Sequence, residues 1–189
     1  MKRLAIFASG SGTNAENLIR YFRTSPRGSV TLVLSNRADA FVIKRAQSHH
    51  VDTFVFNREQ LYKTGEVLAV LEERKIDFIV LAGFLWLIPS ELLDAYEGRI
   101  VNIHPALLPR YGGKGMYGSH VHEAVIASGD RESGISIHYV NPRYDEGNII
   151  FQATCPVDPE DTPETLAEKV HALEYAHYPR VVEELLKGS

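Results

Sequence analysis

The first hundred positions alternate between short apolar runs and stretches whose apolar residues recur at helical spacing. Residues 4–8, 30–34, 51–56 and 76–82 are rich in β-branched and aromatic side chains and read as strands. Between them, 14–22, 38–48 and 60–74 read as helices, the last with Leu61, Val67, Leu68 and Leu71 on one side. The apolar run of 76–82 suits a strand covered on both faces. Strands alternating with helices predict parallel pairing through right-handed crossovers, hence an open α/β sheet. After Pro89 the texture changes. A short helix (91–96) leads to a strand (99–103), a Pro/Gly-rich loop (104–118) and a helix (121–128). Residues 134–140 then alternate as a half-buried strand does, and 148–157 read as another. Residues 163–187 form a long terminal helix, with Thr162 as cap, Pro163 at its first position, and Pro179 expected to kink or break it. The expected fold is one α/β domain over 1–189. Its Rossmann-like, mostly parallel half is 1–100; its mixed or antiparallel half is 101–189, carrying the long helix.

Composition narrows the class. At about 150 residues per domain, 189 residues make one domain, enough for a core without staples. A single cysteine, Cys155, excludes an internal disulfide and points to a reducing, cytoplasmic setting. The start is too short in apolar residues for a signal peptide, and no run approaches the length of a membrane span. A net charge of −4 argues against nucleic acid as a partner.

The first strand runs into Ser9-Gly10-Ser11-Gly12-Thr13-Asn14, and a helix follows. Glycines let backbone approach a ligand, and free N–H groups at a helix start attract anions, so a phosphate is the natural guest. The Gly-Lys-Ser/Thr ending of a Walker loop is missing. Gly10-x-Gly12-x-x-Ala15 also fits the loose dinucleotide fingerprint, but Ser35-Asn36-Arg37 stands where that motif wants an acid. A plain glycine turn is the bland alternative.

Asn102 and His104 lie two apart at a strand end, so both side chains leave one face. The imidazole exchanges protons near neutrality, and the amide can donate to an oxyanion. Asp145, in a loop before the last strand, supplies a carboxylate able to approach His104 and hold its charged form.

These segments together resemble the folate-dependent formyltransferases. The likeness rests on the Ser9–Asn14 loop, Ser35-Asn-Arg-Ala-Asp-Ala-Phe41, Leu81-Ala-Gly-Phe84, Asn102-Ile-His-Pro-Ala-Leu-Leu-Pro109 and the 134–147 segment, in family order over almost the entire chain. It implies transfer of the formyl group of 10-formyltetrahydrofolate, as co-substrate, to the amino group of glycinamide ribonucleotide in purine synthesis, without a metal. Asn102, His104 and Asp145 match the catalytic residues. Gly12, Thr13 and Asn14 match the phosphate loop, and Glu174 the acid that contacts the ribonucleotide. Leu85, Trp86, Leu87 and Ile88, with Asn102 and with Asn141, Pro142, Arg143, Tyr144 and Asp145, match the folate pocket, and Arg58 faces the folate tail. The chain departs from the family at Leu85-Trp86, where many relatives carry Met-Arg, and at Pro142, where an acid is usual. Its 111–118 loop is long and glycine-rich enough for a mobile lid, with Lys114 either attracting anions or simply solvated. A formyltetrahydrofolate hydrolase and a non-catalytic dinucleotide-binding module are the competing readings. The hydrolases and the transferases acting on initiator tRNA carry further domains, for which this length leaves no room. A monomer or homodimer is expected, with no membrane partner.

Other motifs weigh less. His171-x-x-Glu174-x-x-His177 resembles a metal set, but positions six apart on a helix diverge by about 120°. His120-x-His122 lacks a third ligand. His49-His50 suits a helix C-terminus. His138 and Ser136 share one strand face and either line the site or pack. Trp86 is core or pterin wall. Glu72-Glu73-Arg74-Lys75 and Glu183-Glu184 read as solvated helix faces, and Cys155, with no base beside it, as inert.

Overall fold

The computed structural model describes residues 1–188. In chain order the elements are β1 (Lys2–Phe7), α1 (Thr13–Phe22), β2 (Gly28–Ser35), α2 (Phe41–Ser48), β3 (Asp52–Val55), α3 (Arg58–Tyr62), α4 (Glu66–Glu73) and β4 (Phe78–Leu81). There follow α5 (Ser90–Ala95), β5 (Ile100–His104), α6 (Ser119–Ser128), β6 (Glu132–Tyr139), β7 (Ile149–Pro156) and α7 (Pro163–Leu185). All seven strands join one sheet, ordered β3-β2-β1-β4-β5-β6-β7. The pairs from β3 to β5 are parallel; β5–β6 and β6–β7 are antiparallel. This is the expected single α/β sheet with an antiparallel C-terminal edge. No helix among the described residues is long and apolar enough to cross a membrane.

Alternation along β1 divides the core in two. Leu4 and Ile6 join the cluster beneath α1, α2 and α7, whereas Ala5 and Phe7 join the one beneath α4 and α5. The chain leaves β1 toward β2 and β3, then returns to place β4 on β1's other side. Their carboxyl ends therefore diverge around a crevice, the usual place for a ligand in such sheets.

Three expectations need correction. The 60–74 helix is two helices: Asn57 and Gln60 form a reciprocal capping box that starts α3 early, and Gly65, at φ +68°, interrupts the chain before α4. The second helix begins at Phe41 rather than 38, after Ala40 in extended conformation. Pro179 does not break α7. Proline lacks the N–H that would reach the Tyr175 carbonyl one turn back, and Asn17 Nδ2 of α1 donates to that carbonyl at 3.1 Å. The buried ring is accommodated because a neighbouring helix satisfies the group it strands.

Candidate active site

One cleft of about 780 Å³ opens at the carboxyl ends of β1, β4 and β5. Its floor is the Ser9–Asn14 loop. The Gly10 carbonyl accepts from the Val42 N–H at 3.1 Å and the Ser11 carbonyl from Arg45 Nε at 2.9 Å, so the loop's acceptors are engaged by α2. Gly12 adopts φ +74° directly before α1, and a Cβ there would stand 2.3 Å from Val42 Cγ2. Only glycine fits this approach. The N-terminal end of α1, with its unpaired amides, then belongs to the cleft wall through Thr13 and Asn14.

Glu174 reaches the same cleft from α7 and is 4% exposed. Asn14 Nδ2 donates to its Oε2 at 2.9 Å, and His171 Nδ1 lies 2.8 Å from the same oxygen. That hydrogen bond raises the His171 pKa above the ordinary imidazole value, against the opposing effect of its burial. His122 of α6 also lines the cleft; its Nδ1 is buried without a partner, and burial lowers its pKa.

The acid–base groups come from the strand pair where the sheet changes sense. In the antiparallel register Asn102 faces His138 and His104 faces Ser136, so all four side chains emerge on one face. Asn102 Nδ2 lies 3.2 Å from His138 Nε2, and His138 Nδ1 lies 2.9 Å from the Tyr139 carbonyl. A carbonyl only accepts, so His138 Nδ1–H donates to it; the Asn102 amide carries two N–H, one of which is left for another acceptor. Ser136 serves the loop instead: its hydroxyl accepts from the Leu108 N–H at 2.9 Å and donates to the Ala106 carbonyl at 2.7 Å. Of the two residues left open in the sequence, neither lines the cleft: His138 touches Asn102 and approaches Asp145 from behind it, and Ser136 braces the loop.

Asp145 sits at φ +56° in the β6–β7 connection. Its Oδ2 is 3.5 Å from His104 Nδ1 and accepts from the Gly113 N–H at 3.1 Å; its Oδ1 is 3.7 Å from His138 Nε2. Burial alone would raise this carboxyl, but His138, the charge of His104 and the Gly113 N–H prevail and hold it below the ordinary range. His104 is 3% exposed and its Nε2 lies 2.7 Å from the Tyr111 carbonyl. Here burial wins: the His104 pKa is lowered, with Asp145 and the Tyr111 carbonyl pulling the other way. The expected hold of Asp145 on the charged imidazole exists, but desolvation outweighs it.

Other expected residues divide. Leu85 and Tyr144 line the cleft with Asn102, His104 and Asp145. Arg58, Trp86, Leu87, Ile88, Asn141, Pro142 and Arg143 do not. Trp86 packs edge-on against Phe56 and Phe84 on the α3–α5 side, with the Arg58 guanidinium 4.5 Å over its ring. Trp86 is half-buried and packs against the second core cluster. Ile88 is 4% exposed in that cluster. Asn141 and Pro142 line a separate cavity of about 260 Å³ beside α5. The 111–118 loop lines the cleft through Gly113 to Gly118 and carries Lys114 exposed on it. Its base is tied down, since Tyr111 and Gly113 hold His104 and Asp145. His177 packs on Phe151 at 4.9 Å, and His49 Nε2 meets Glu16 at 2.9 Å across α1 and α2. No group of three or more His, Cys, Asp or Glu among the described residues is placed to hold a metal ion. Burial raises the Cys155 thiol, which suits an inert side chain.

The formyl transferase family model matches residues 2–182. The chain belongs to that family. This formyl transferase is 42% identical over 187 residues to the chloroplastic phosphoribosylglycinamide formyltransferase of Arabidopsis thaliana, covering 96% of this chain and 64% of that one. It thus spans just under two thirds of the plant protein. With phosphoribosylglycinamide formyltransferase of Bacillus subtilis it shares 36% identity over 98% of this chain and 95% of the relative. The crystal structure of phosphoribosylglycinamide formyltransferase from Bacillus halodurans superimposes with a TM-score of 0.87 at 40% identity, covering 98% of this chain and 95% of that chain. The formyl transferase cleft therefore lies within a fold shared over nearly its whole length.

Proposed function

We propose that this chain transfers the formyl group of 10-formyltetrahydrofolate to the primary amine of glycinamide ribonucleotide. The observation that carries this reading is the convergence in one cleft of Asn102, His104 and Asp145 with the Gly12 loop and Glu174. Relatives matched end to end bear the same activity in their names.

The residues divide the work by chemistry. The Gly12–Asn14 backbone takes the ribonucleotide phosphate at the start of α1. Glu174, already polarised by Asn14 and His171, accepts from the substrate's hydroxyl or amino hydrogens. Attack of the amine on the formyl carbon forms a C–N bond and places charge on the formyl oxygen. The free N–H of Asn102 and a charged His104 are the donors for that oxyanion. Asp145, ionised, favours the charged His104 as charge develops and helps move the amine proton toward the departing folate nitrogen, whose bond to the formyl carbon breaks. Folate enters beside Leu85, Asn102, Tyr144 and Asp145. We assign Arg58, Trp86, Leu87, Ile88, Asn141, Pro142 and Arg143 to the surroundings of its pterin and tail, outside the open cleft.

A coupled assay with 10-formyltetrahydrofolate, with and without the ribonucleotide, tests the reading. Tetrahydrofolate release is expected only with both substrates. Release without the ribonucleotide would instead indicate a hydrolase, and tight NADP binding with no ribonucleotide binding a dinucleotide module. His104→Ala and Asp145→Asn are each expected to lower kcat by roughly 100-fold or more while the fold persists; near-parental turnover in both would sink the mechanism.

A further inference from the structure

His104 is flanked by two acceptors. Its Nε2 lies 2.7 Å from the Tyr111 carbonyl and its Nδ1 lies 3.5 Å from Asp145 Oδ2. Neither a carbonyl nor an ionised carboxylate can donate, so only the doubly protonated ring satisfies both sides. In the neutral ring the carbonyl keeps the proton on Nε2 and leaves Nδ1 turned to the carboxylate. The Tyr111 carbonyl therefore bears on both tautomer and charge.

That carbonyl is not placed by regular structure. Tyr111 lies two residues beyond Pro109 and adopts φ +55°, a strained conformation for a bulky residue. Its side chain offers the compensation. The hydroxyl donates to Asp130 Oδ2 at 2.5 Å, lies 2.6 Å from Ser128 Oγ and accepts from Arg110 Nη2 at 3.1 Å. Arg110 pairs with Asp130 at 2.8 Å and covers the Tyr111 ring at 5.1 Å. Asp130 does not line the cleft. The bond from Tyr111 is the largest influence holding its carboxyl below the ordinary range, so it stays a charged anchor at neutral pH.

We propose that Tyr111 is a positioning residue for the transfer reaction: its ring, anchored on Ser128 at the end of α6 and on Asp130 beyond it, holds the backbone carbonyl that fixes the tautomer of His104 and supports its charged form. This rests on the proposed formyl transfer only for its kinetic readout. The other groups facing His104 are Asp145 from the β6–β7 connection, His138 from β6, Glu174 from α7 and His122 from α6. Asp145 and Glu174 favour its charge and the two imidazoles oppose it. None of them touches the Tyr111 hydroxyl, so a change confined to that hydroxyl leaves them in place.

Tyr111→Phe removes the anchor and keeps the ring and carbonyl; Asp130→Asn weakens the same bond from the far side. Histidine-labelled protein, titrated by nitrogen NMR without substrates, reports the His104 tautomer and titration midpoint directly. Both variants are expected to move the midpoint down by about half a unit and to raise the fraction protonated on Nδ1, equivalent to about a threefold loss of the charged form above the midpoint. In the coupled assay kcat at neutral pH is expected to fall about threefold, with the alkaline limb of its pH profile at lower pH and both KM values within about twofold. The double variant should be no worse than either single one, since both cut one bond. An unchanged His104 titration in both variants overturns the proposal, whatever happens to their melting temperatures. So does an additive loss in the double variant. Because the NMR arm needs no substrate, it stands or falls apart from the formyl-transfer reading.

Discussion

His122 and His171 stand across the same cleft with opposite electrostatic burdens. His122 is buried with an unpartnered Nδ1, so folding lowers its pKa; His171 gains Glu174, so folding raises its own. Below the ordinary imidazole value the unfolded chain protonates His122 more readily than the folded one. His122 therefore lowers stability as pH falls through that value. The stabilising contribution of His171 is complete below the unfolded value and is lost as pH rises through its raised folded value. Urea titrations across about pH 5 to 8 should show His122→Leu losing less stability on acidification than the parent, and His171→Gln losing less on the alkaline side. Parallel curves for His122→Leu and the parent would contradict the burial argument. At this scale the sequence was legible where spacing alone decides direction, as for Asn102 and His104. It was silent on His138, because an alternating histidine in a strand reads the same whether it meets a carboxylate or a methyl group. Only the register that sets it opposite Asn102 decides.

The helices answer to their neighbours more than to their own patterns. Residues 60–74 carry a continuous apolar stripe, yet a capping box and one left-handed glycine divide them, since both features act locally and ignore periodicity. At Pro179 the reverse holds: the local rule is strict, but a side chain from α1, distant in sequence, relieves it. Asn17→Ala leaves the Tyr175 carbonyl without that donor and is expected to cost roughly 1 kcal/mol by chemical denaturation. In a Pro179→Ala background, where the introduced alanine supplies its own N–H, the same substitution should cost clearly less. Equal costs in both backgrounds would show that Asn17 does not compensate for the proline. A second tie joins α1 to α2, where Glu16 meets Arg45, His49 and Arg20. The His49 bond, with the arginines, outweighs burial and brings the Glu16 pKa to about 2. This contribution is present above the ordinary carboxyl value and fades as pH falls toward about 2.

For the whole molecule, the alternation of apolar and helical segments was enough to give the parallel sheet and its crevice. The closing of that crevice by α7 was not, because nothing in 163–187 names the partner of a buried tyrosine. Tyr178 is fully buried, and its hydroxyl donates to the Leu81 carbonyl at 2.7 Å with the Val101 carbonyl 3.4 Å away. It joins α7 to the end of β4 and the start of β5, one turn from Glu174. Burial raises its pKa far above the ordinary phenol value, so it stays a donor throughout the working range. Tyr178→Phe is expected to lower stability by about 1–2 kcal/mol and to raise the KM for the ribonucleotide more than that for folate. A uniform change in both KM values would place its effect outside the Glu174 wall. The order of these parts along the chain has a consequence during synthesis. The Gly12 loop, His104 and Asp145 all leave the ribosome before α7 does. A nascent chain that ends short of α7 lacks Glu174, Tyr178 and the helix that packs on one of the two core clusters. The cleft wall that carries Glu174 therefore waits on that one helix, the last described element to be made.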